Sequence, residues 1–239
     1  MSFDDTTSQK APTPRSIATT QAMNVGTIVP YQPTDILTTE AEIRAIIDGI
    51  HPAQTGKVLD HIDTHCRVWI ERAPFLVMST VDSQGKLDVS PKGDPPGFVK
   101  VVDKKTLAIP DRPGNHRFDS FQNILQTGRI GLIFFVPNRN EVVRVNGSAQ
   151  IVRDPPLRET MAIQGRVPEF AIVVHVEEAF YHCGKAIIRS KLWAPDQAAP
   201  VDGLPTYGEA LFAQTQNGLS KDEIEARLKH NEENRLYDE

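Results

Sequence analysis

The chain has 239 residues, 39% of them hydrophobic and 24% charged, an ordinary globular balance that excludes a disordered chain and allows one sizeable core. A net charge of −5 and a pI near 5.8 exclude a surface that tracks nucleic-acid phosphates throughout, because such affinity is built from Lys and Arg contacts, so any anion site must be local. Cys66 and Cys183 are too few for a disulfide framework or a four-ligand zinc site. The first thirty residues lack the apolar core of an export signal, and no apolar run of roughly 18 residues follows; the expectation is a cytoplasmic protein with neither membrane nor nucleic-acid partner.

Residues 1–34, rich in Thr, Ser, Asp and Pro, read as a flexible arm ahead of a domain over 35–195 and a linker with a charged helix over 196–239. A capping box at Thr39 and Glu42 opens a first helix carrying Ile43, Ile46 and Ile47. A second helix is expected over Lys57–Glu71, with Val58, Ile62, Cys66, Trp69 and Ile70 on one face and Pro74 as its stop. From Phe75 the period becomes extended: PFLVMST, KLDVSP, FVKVV and TLAIP, separated by turns at Asp82–Gly85, Asp94–Gly97 and Asp103–Lys105, predict a four-stranded antiparallel meander. After DRPGNHR a helix, FDSFQNILQT, is closed by Gly128. RIGLIFFVP and EVVRVNGSAQIVRD then form a long hairpin about Asn138–Asn140. Asp154, Pro155 and Pro156 start a short helix, PEFAIVVHVEE is a last strand, and AFYHCGKAIIRSKLW reads as helical up to Pro195. Beyond it the chain loosens until Ser220 and Glu223 cap a late charged helix. The expected class is mainly β, a barrel with flanking helices.

IPDRPGNHRFDS carries the most chemistry. It delivers Arg112, Asn115 and Arg117 to a helix N-terminus, where free N–H groups and the helix dipole favour an anion that two guanidinium groups can fork onto. The alternative is a loop whose arginines pair with Asp103, Asp111 or Asp119, and spacing alone does not choose between them. Ser90 and Lys92 in DVSPKGD share one strand face, so Lys92 can add a second cation.

With these motifs in their order, PFLVMSTVDSQGKLDVSPKGDPPGFVKVVDKKTLAIPDRPGNHRFDSFQNIL, IGLIFFVP, EVVRVNGSAQI and HCGKAIIRSKLW, the stretch from about Asp35 to Pro195 resembles one branch of the pyridoxamine 5'-phosphate oxidase-like FMN-binding family. The resemblance implies a split β-barrel, antiparallel and Greek-key-like, and a homodimer with two FMN sites at its interface. It places Val89, Ser90 and Lys92 along the flavin ring and tail, Asp111 and Arg112 near the ribityl chain, and Asn115 and Arg117 on the phosphate. Arg144, Asn146, Lys185, Arg189 and Ser190 form a second set, reaching the flavin from the neighbouring subunit, with Trp193 over a ring face. It further implies an FMN-dependent oxidoreductase acting on a small-molecule substrate or electron donor, the alternative being a non-catalytic flavin or haem binding or sensing protein. The vitamin B6 oxidases carry Ser-Arg-Lys at the phosphate helix; here Arg117, Phe118, Asp119 and Ser120 stand there, so B6 chemistry is not expected.

Other chemistry-bearing residues have plainer readings. His61 and His65 have zincin spacing without the Glu, and read as surface or interface histidines rather than metal ligands. His182 and Cys183, adjacent on a helix, would point about 100° apart and form no nucleophile–base pair. Asp94, Asp103 and Asp111 sit in turns, and Trp69, Phe134, Phe135 and Phe170 read as core.

Overall fold

The computed structural model describes residues 30–238 except 48, 52, 53, 55, 198, 199, 216 and 217, so the N-terminal arm expected up to residue 34 lies outside the described residues as far as 29. Met1–Gly49 and Ile50–Glu239 form separate units. In the first, α1 (Glu40–Ile46) starts at the expected box: Thr39 accepts from the Glu42 N–H, and the Glu42 carboxylate accepts from the Thr39 N–H. Its Ile43 and Ile46 are exposed.

In the second unit, Leu59 exchanges backbone hydrogen bonds with Ala179. That bridge shortens the expected second helix. Residues 57–63 are held extended or turned, and α2 runs Thr64–Arg72, capped by Asp63 whose carboxylate accepts from the Cys66 N–H at 2.8 Å. Its inner face buries Cys66, Trp69 and Ile70. His61 precedes this helix and bonds Asp60, so it and His65 do not lie one turn apart on a helix.

Strands β1 (Phe75–Val81) and β2 (Leu87–Gly93) form a hairpin about Gly85, whose φ of 82° suits glycine. The expected meander ends there. β3 (Lys100–Val101) pairs with β4 (Thr106–Pro110) at the far end of the sheet, not with β2. Between the hairpins, Phe98 and Val99 leave the ladder to enter the core, which reduces FVKVV to two strand residues. Next come α3 (Asp119–Thr127), stopped as expected by Gly128 at φ 64°, β5 (Arg129–Phe135), β6 (Val142–Val152), α4 (Pro155–Glu159) and β7 (Ala171–His182). AFYH is therefore strand: β6 is eleven residues long, and pairing Val142 with His182 extends β7 past the expected helix start. α5 is confined to Lys185–Ser190. His182 and Cys183 thus stand at a strand end, not on a helix.

The sheet is antiparallel in the order β2-β1-β5-β6-β7-β4-β3, with β2 and β3 at its two ends and no ladder between them. Leu76 and Met78 of β1, Leu132 and Phe134 of β5, Val143 and Val145 of β6, Ile172 and Val174 of β7 and Leu107 and Ile109 of β4 share one core. α2 and α3 pack Trp69, Ile70, Phe121 and Ile124 into it. Strand alternation is visible in β1, where Leu76, Met78 and Thr80 are buried and Val77 and Ser79 half-buried. The buried polar groups are paired: Trp69 Nε1 donates to the Phe134 carbonyl and Asn123 Nδ2 to Thr80 Oγ1.

The C-terminal region is more ordered than its Pro and Gly content suggests. α6 (Tyr207–Gln214), missed in the sequence, begins at a Thr206–Glu209 capping box, and α7 (Lys221–Asn234) begins at the expected Ser220–Glu223 box. The two helices pack together and bury Ile224.

Two consequences can be measured. A register shift at Asn146/Gly147 brings the β6 backbone so close to β7 that a Cβ on Gly147 would lie 2.0 Å from the His175 carbonyl oxygen, an overlap only backbone movement relieves. Gly147→Ala should lower the free energy of unfolding by about 2–4 kcal/mol in urea titrations; a loss below about 1 kcal/mol would contradict this packing. Cys66 is buried and Cys183 exposed, both as free thiols, and burial, reinforced by the Asp63 carboxylate, pushes the Cys66 thiol up to about 12. At pH 8 a disulfide reagent should titrate one thiol per native chain and two after unfolding; two fast thiols in the native protein would refute the placement of Cys66.

Candidate functional site

β4 ends at Pro110, and the chain leaves the sheet through Asp111–Phe118 before entering α3. Asp111 stays tied to the sheet edge by its N–H to the Phe170 carbonyl. The loop then turns sharply. His116 and Phe118 both adopt left-handed backbone, φ 54° and 55°, conformations that non-glycine residues occupy at a cost and that cluster at functional sites. Phe118 is the N-cap of α3 and offers no side-chain acceptor. The first-turn N–H groups are therefore left without the usual cap at the positive end of the helix dipole.

This helix start faces β2 across a cleft of about 340 Å³. Asp88, Ser90 and Lys92 occupy alternate positions of β2 and are half-buried on its α3 side, while Ser120 Oγ donates to Asp88 Oδ2 at 2.6 Å and joins strand to helix. The cleft gathers seven residues expected from sequence to form a site: Val89, Ser90, Lys92, Asp111, Arg112, Asn115 and Arg117.

The two arginines differ in what they can do there. Arg112 is mostly buried: its Nε donates to Asp94 Oδ2 at 2.6 Å and its Nη2 to the Met161 carbonyl at 2.9 Å, with the Asp94 side chain only 1% exposed. It is committed to holding the loop. Arg117 stands at the rim, its side chain 69% exposed, and pairs with Asp119 through Nε at 2.7 Å. Asn115 Oδ1 accepts the Arg117 N–H and shapes the turn. Of the pairings weighed from sequence, Arg117 with Asp119 is formed, whereas the partner of Arg112 is Asp94, which spacing did not single out. The hydrogen bond from Arg117 holds the Asp119 carboxyl below its usual range.

Three carboxylates, Asp88, Asp111 and Asp119, line the cleft with Lys92, Arg112 and Arg117. Its formal charge is therefore balanced, and what favours an anion is the direction of the donors rather than the field. Asp88 was legible, since it shares the alternate face of Ser90 and Lys92.

The remaining expected residues lie elsewhere in the chain. Arg144 and Asn146 belong to an open sheet face of about 570 Å³ over β2, β1, β5 and β6, which shares Val89 with the cleft. There Arg144 lies 5.1 Å from the Phe180 ring centre and Asn146 Nδ2 donates to Glu178 Oε2. Lys185, Arg189 and Ser190 are on α5, exposed and lining neither cavity. Trp193 donates from Nε1 to the Arg139 carbonyl at 2.7 Å. Among the described residues no group of three His, Cys, Asp or Glu could hold a metal, and no helix is long and apolar enough to cross a membrane.

Comparison with solved structures finds the HupZ protein of group A Streptococcus, 26% identical over 50% of this chain and 93% of its own, with a TM-score of 0.41. A candidate pyridoxamine 5'-phosphate oxidase of Lactobacillus delbrueckii is 20% identical over 52% and 98%, TM-score 0.42. An FMN-binding protein of Syntrophomonas wolfei is 12% identical over 48% and 86%, TM-score 0.37. No curated protein matches. Residues 62–183, just over half of the chain and spanning every strand of the sheet, match the model of the family described as pyridoxamine 5'-phosphate oxidase, and the chain belongs to that split-barrel family.

Proposed function

We propose that the protein is an FMN-binding flavoprotein that works as a homodimer and acts as an oxidoreductase on a small molecule. The observation that carries this reading is the convergence of β2, the Asp111–Phe118 loop and an uncapped helix N-terminus on one cleft. A phosphate fits this donor set: Arg117 at the rim, the first-turn N–H groups of α3 and Asn115 can receive it. Ser90 and Lys92 on the β2 face then follow the ribityl chain, with Asp111 opposite.

Val89 lies where this cleft meets the open sheet face. Val89, Arg144 and Asn146 would hold the isoalloxazine ring of a flavin whose phosphate end occupied the cleft. Leu87 and Val89 are 67% and 63% exposed on an edge strand, apolar surface that a second copy of the chain would cover. In that arrangement Lys185, Arg189, Ser190 and Trp193 come to the flavin from the other subunit. The bound flavin supplies hydride or electron transfer; this chain's residues bind it, orient it and set the charge around its ring.

The first test is a visible spectrum after incubation with FMN. The proposal expects bound oxidised flavin, quenched in fluorescence and reducible by NADH, NADPH or dithionite; no flavin retained, or a Soret band from haem alone, overturns it. The site itself is tested by two substitutions of opposite sign. Arg117→Ala should weaken FMN by about 1.5–3 kcal/mol, the range of a charge-assisted contact. Asp119→Asn removes a carboxylate that competes for Arg117 and for the helix N-terminus, and should tighten FMN in the same fluorescence titration. If Arg117→Ala has no effect, the phosphate lies elsewhere.

A further inference from the structure

The loop that forms one wall of the candidate cleft has an outer side, and the C-terminal segment covers it. Beyond α7, Tyr237 donates its hydroxyl to Asp94 Oδ1 at 2.7 Å, while Arg112 Nε donates to the other oxygen, Oδ2. The guanidinium of Arg112 also lies 5.8 Å from the centre of the Tyr237 ring. The tail is pinned in turn by Arg166, which donates to the Tyr237 carbonyl at 3.1 Å and pairs with Asp238. Asn231, Arg235 and Leu236 face Pro113, Gly114 and His116 across a further cavity. A 1%-exposed carboxylate needs a donor on each oxygen, and one of the two comes from a residue 143 positions away.

We propose that the segment Leu236–Asp238 is a strap for the Asp111–Phe118 loop, and that Tyr237 is a positioning residue which, through Asp94 and Arg112, sets the grip of that loop on the phosphate of the bound cofactor. The inference rests on the flavin reading for its ligand but not for the strap. Arg112 is the link: it emerges from the loop, cannot reach outward without leaving Asp94, and is oriented from behind by the Tyr237 ring and hydroxyl. Loss of the hydroxyl strands Asp94 Oδ1, lets the carboxylate turn toward water, and loosens the anchor of a loop whose His116 and Phe118 are held in left-handed backbone. The sheet core and the β2 wall are untouched by this change, so the defect is confined to the phosphate end.

That confinement gives the test. Tyr237→Phe and a chain ending at Arg235 are compared with the wild type in three measurements: FMN affinity, riboflavin affinity, and hydrogen exchange of the hydrogen-bonded loop amides of Asp111 and Arg117 in flavin-free protein. Both variants should bind FMN about tenfold more weakly, bind riboflavin within twofold of the wild type because it lacks the phosphate, and exchange these loop amides about tenfold faster. Equal weakening of FMN and riboflavin, or unchanged loop exchange, overturns the strap. If the shortened chain does not fold, Tyr237→Phe alone decides. Should the wild type bind neither flavin, the proposed function fails while the exchange measurement still judges the strap.

Discussion

The buried pair between Asp94 and Arg112 is the contact on which the site depends. It joins the connection that carries the chain from β2 toward β3 to the loop that carries it from β4 into α3, two segments that the sheet alone would leave apart, because β2 and β4 do not neighbour each other in the strand order. Burying two charges is costly, and the pair is tolerable because its further hydrogen-bonding needs are met: the Met161 carbonyl accepts from the guanidinium, and the Tyr237 hydroxyl donates to the second Asp94 oxygen. Removing either partner alone leaves an uncompensated charge and would cost about 3–5 kcal/mol. Such a contact adds little net stability over a well-packed apolar pair; what it supplies is one position for a loop that has no regular structure of its own.

Local signals in the sequence were reliable where one segment decides its own conformation. The Thr39–Glu42 and Ser220–Glu223 boxes, the alternation in PFLVMST and the stop at Gly128 all follow from groups within four residues of each other. Failures came where a distant strand decides. Leu59 is taken out of the expected helix by Ala179, and AFYH continues as strand because β6 is long enough to pair with it. The FVKVV segment has strand composition, yet Phe98 and Val99 join the core outside any ladder and only Lys100 and Val101 pair as strand. The Thr206–Glu209 box was present in the sequence and obscured by the Pro and Gly residues before it.

The candidate site divides along the same line. Period-two alternation brought Ser90 and Lys92 to one face, and a loop ahead of a helix brought Asn115 and Arg117 to its N-terminus. Whether an arginine is a ligand or a strut could not be read locally. Arg112 and Arg117 are five positions apart in similar company, but Asp94, 18 residues before Arg112, makes one of them structural. Nothing in the tail sequence marks Tyr237, whose role comes only from where α7 ends.

A charge-balanced cleft constrains how a phosphate cofactor can be held. A phosphate monoester carries about −1.5 to −2 charges at neutral pH, and here it would enter beside Asp88, Asp111 and Asp119 as well as the three cations. Long-range attraction therefore contributes little, and affinity must come from short directed contacts and from the shape of the loop, which is why a strap behind that loop matters more here than it would in a strongly basic pocket. On the proposed reading, the flavin ring gains its remaining contacts on the open face beyond Val89, where a second chain completes the site. Binding and dimerisation are then linked: a ligand that binds only the paired state stabilises it by mass action, and a protomer alone should hold the phosphate end weakly and the ring hardly at all.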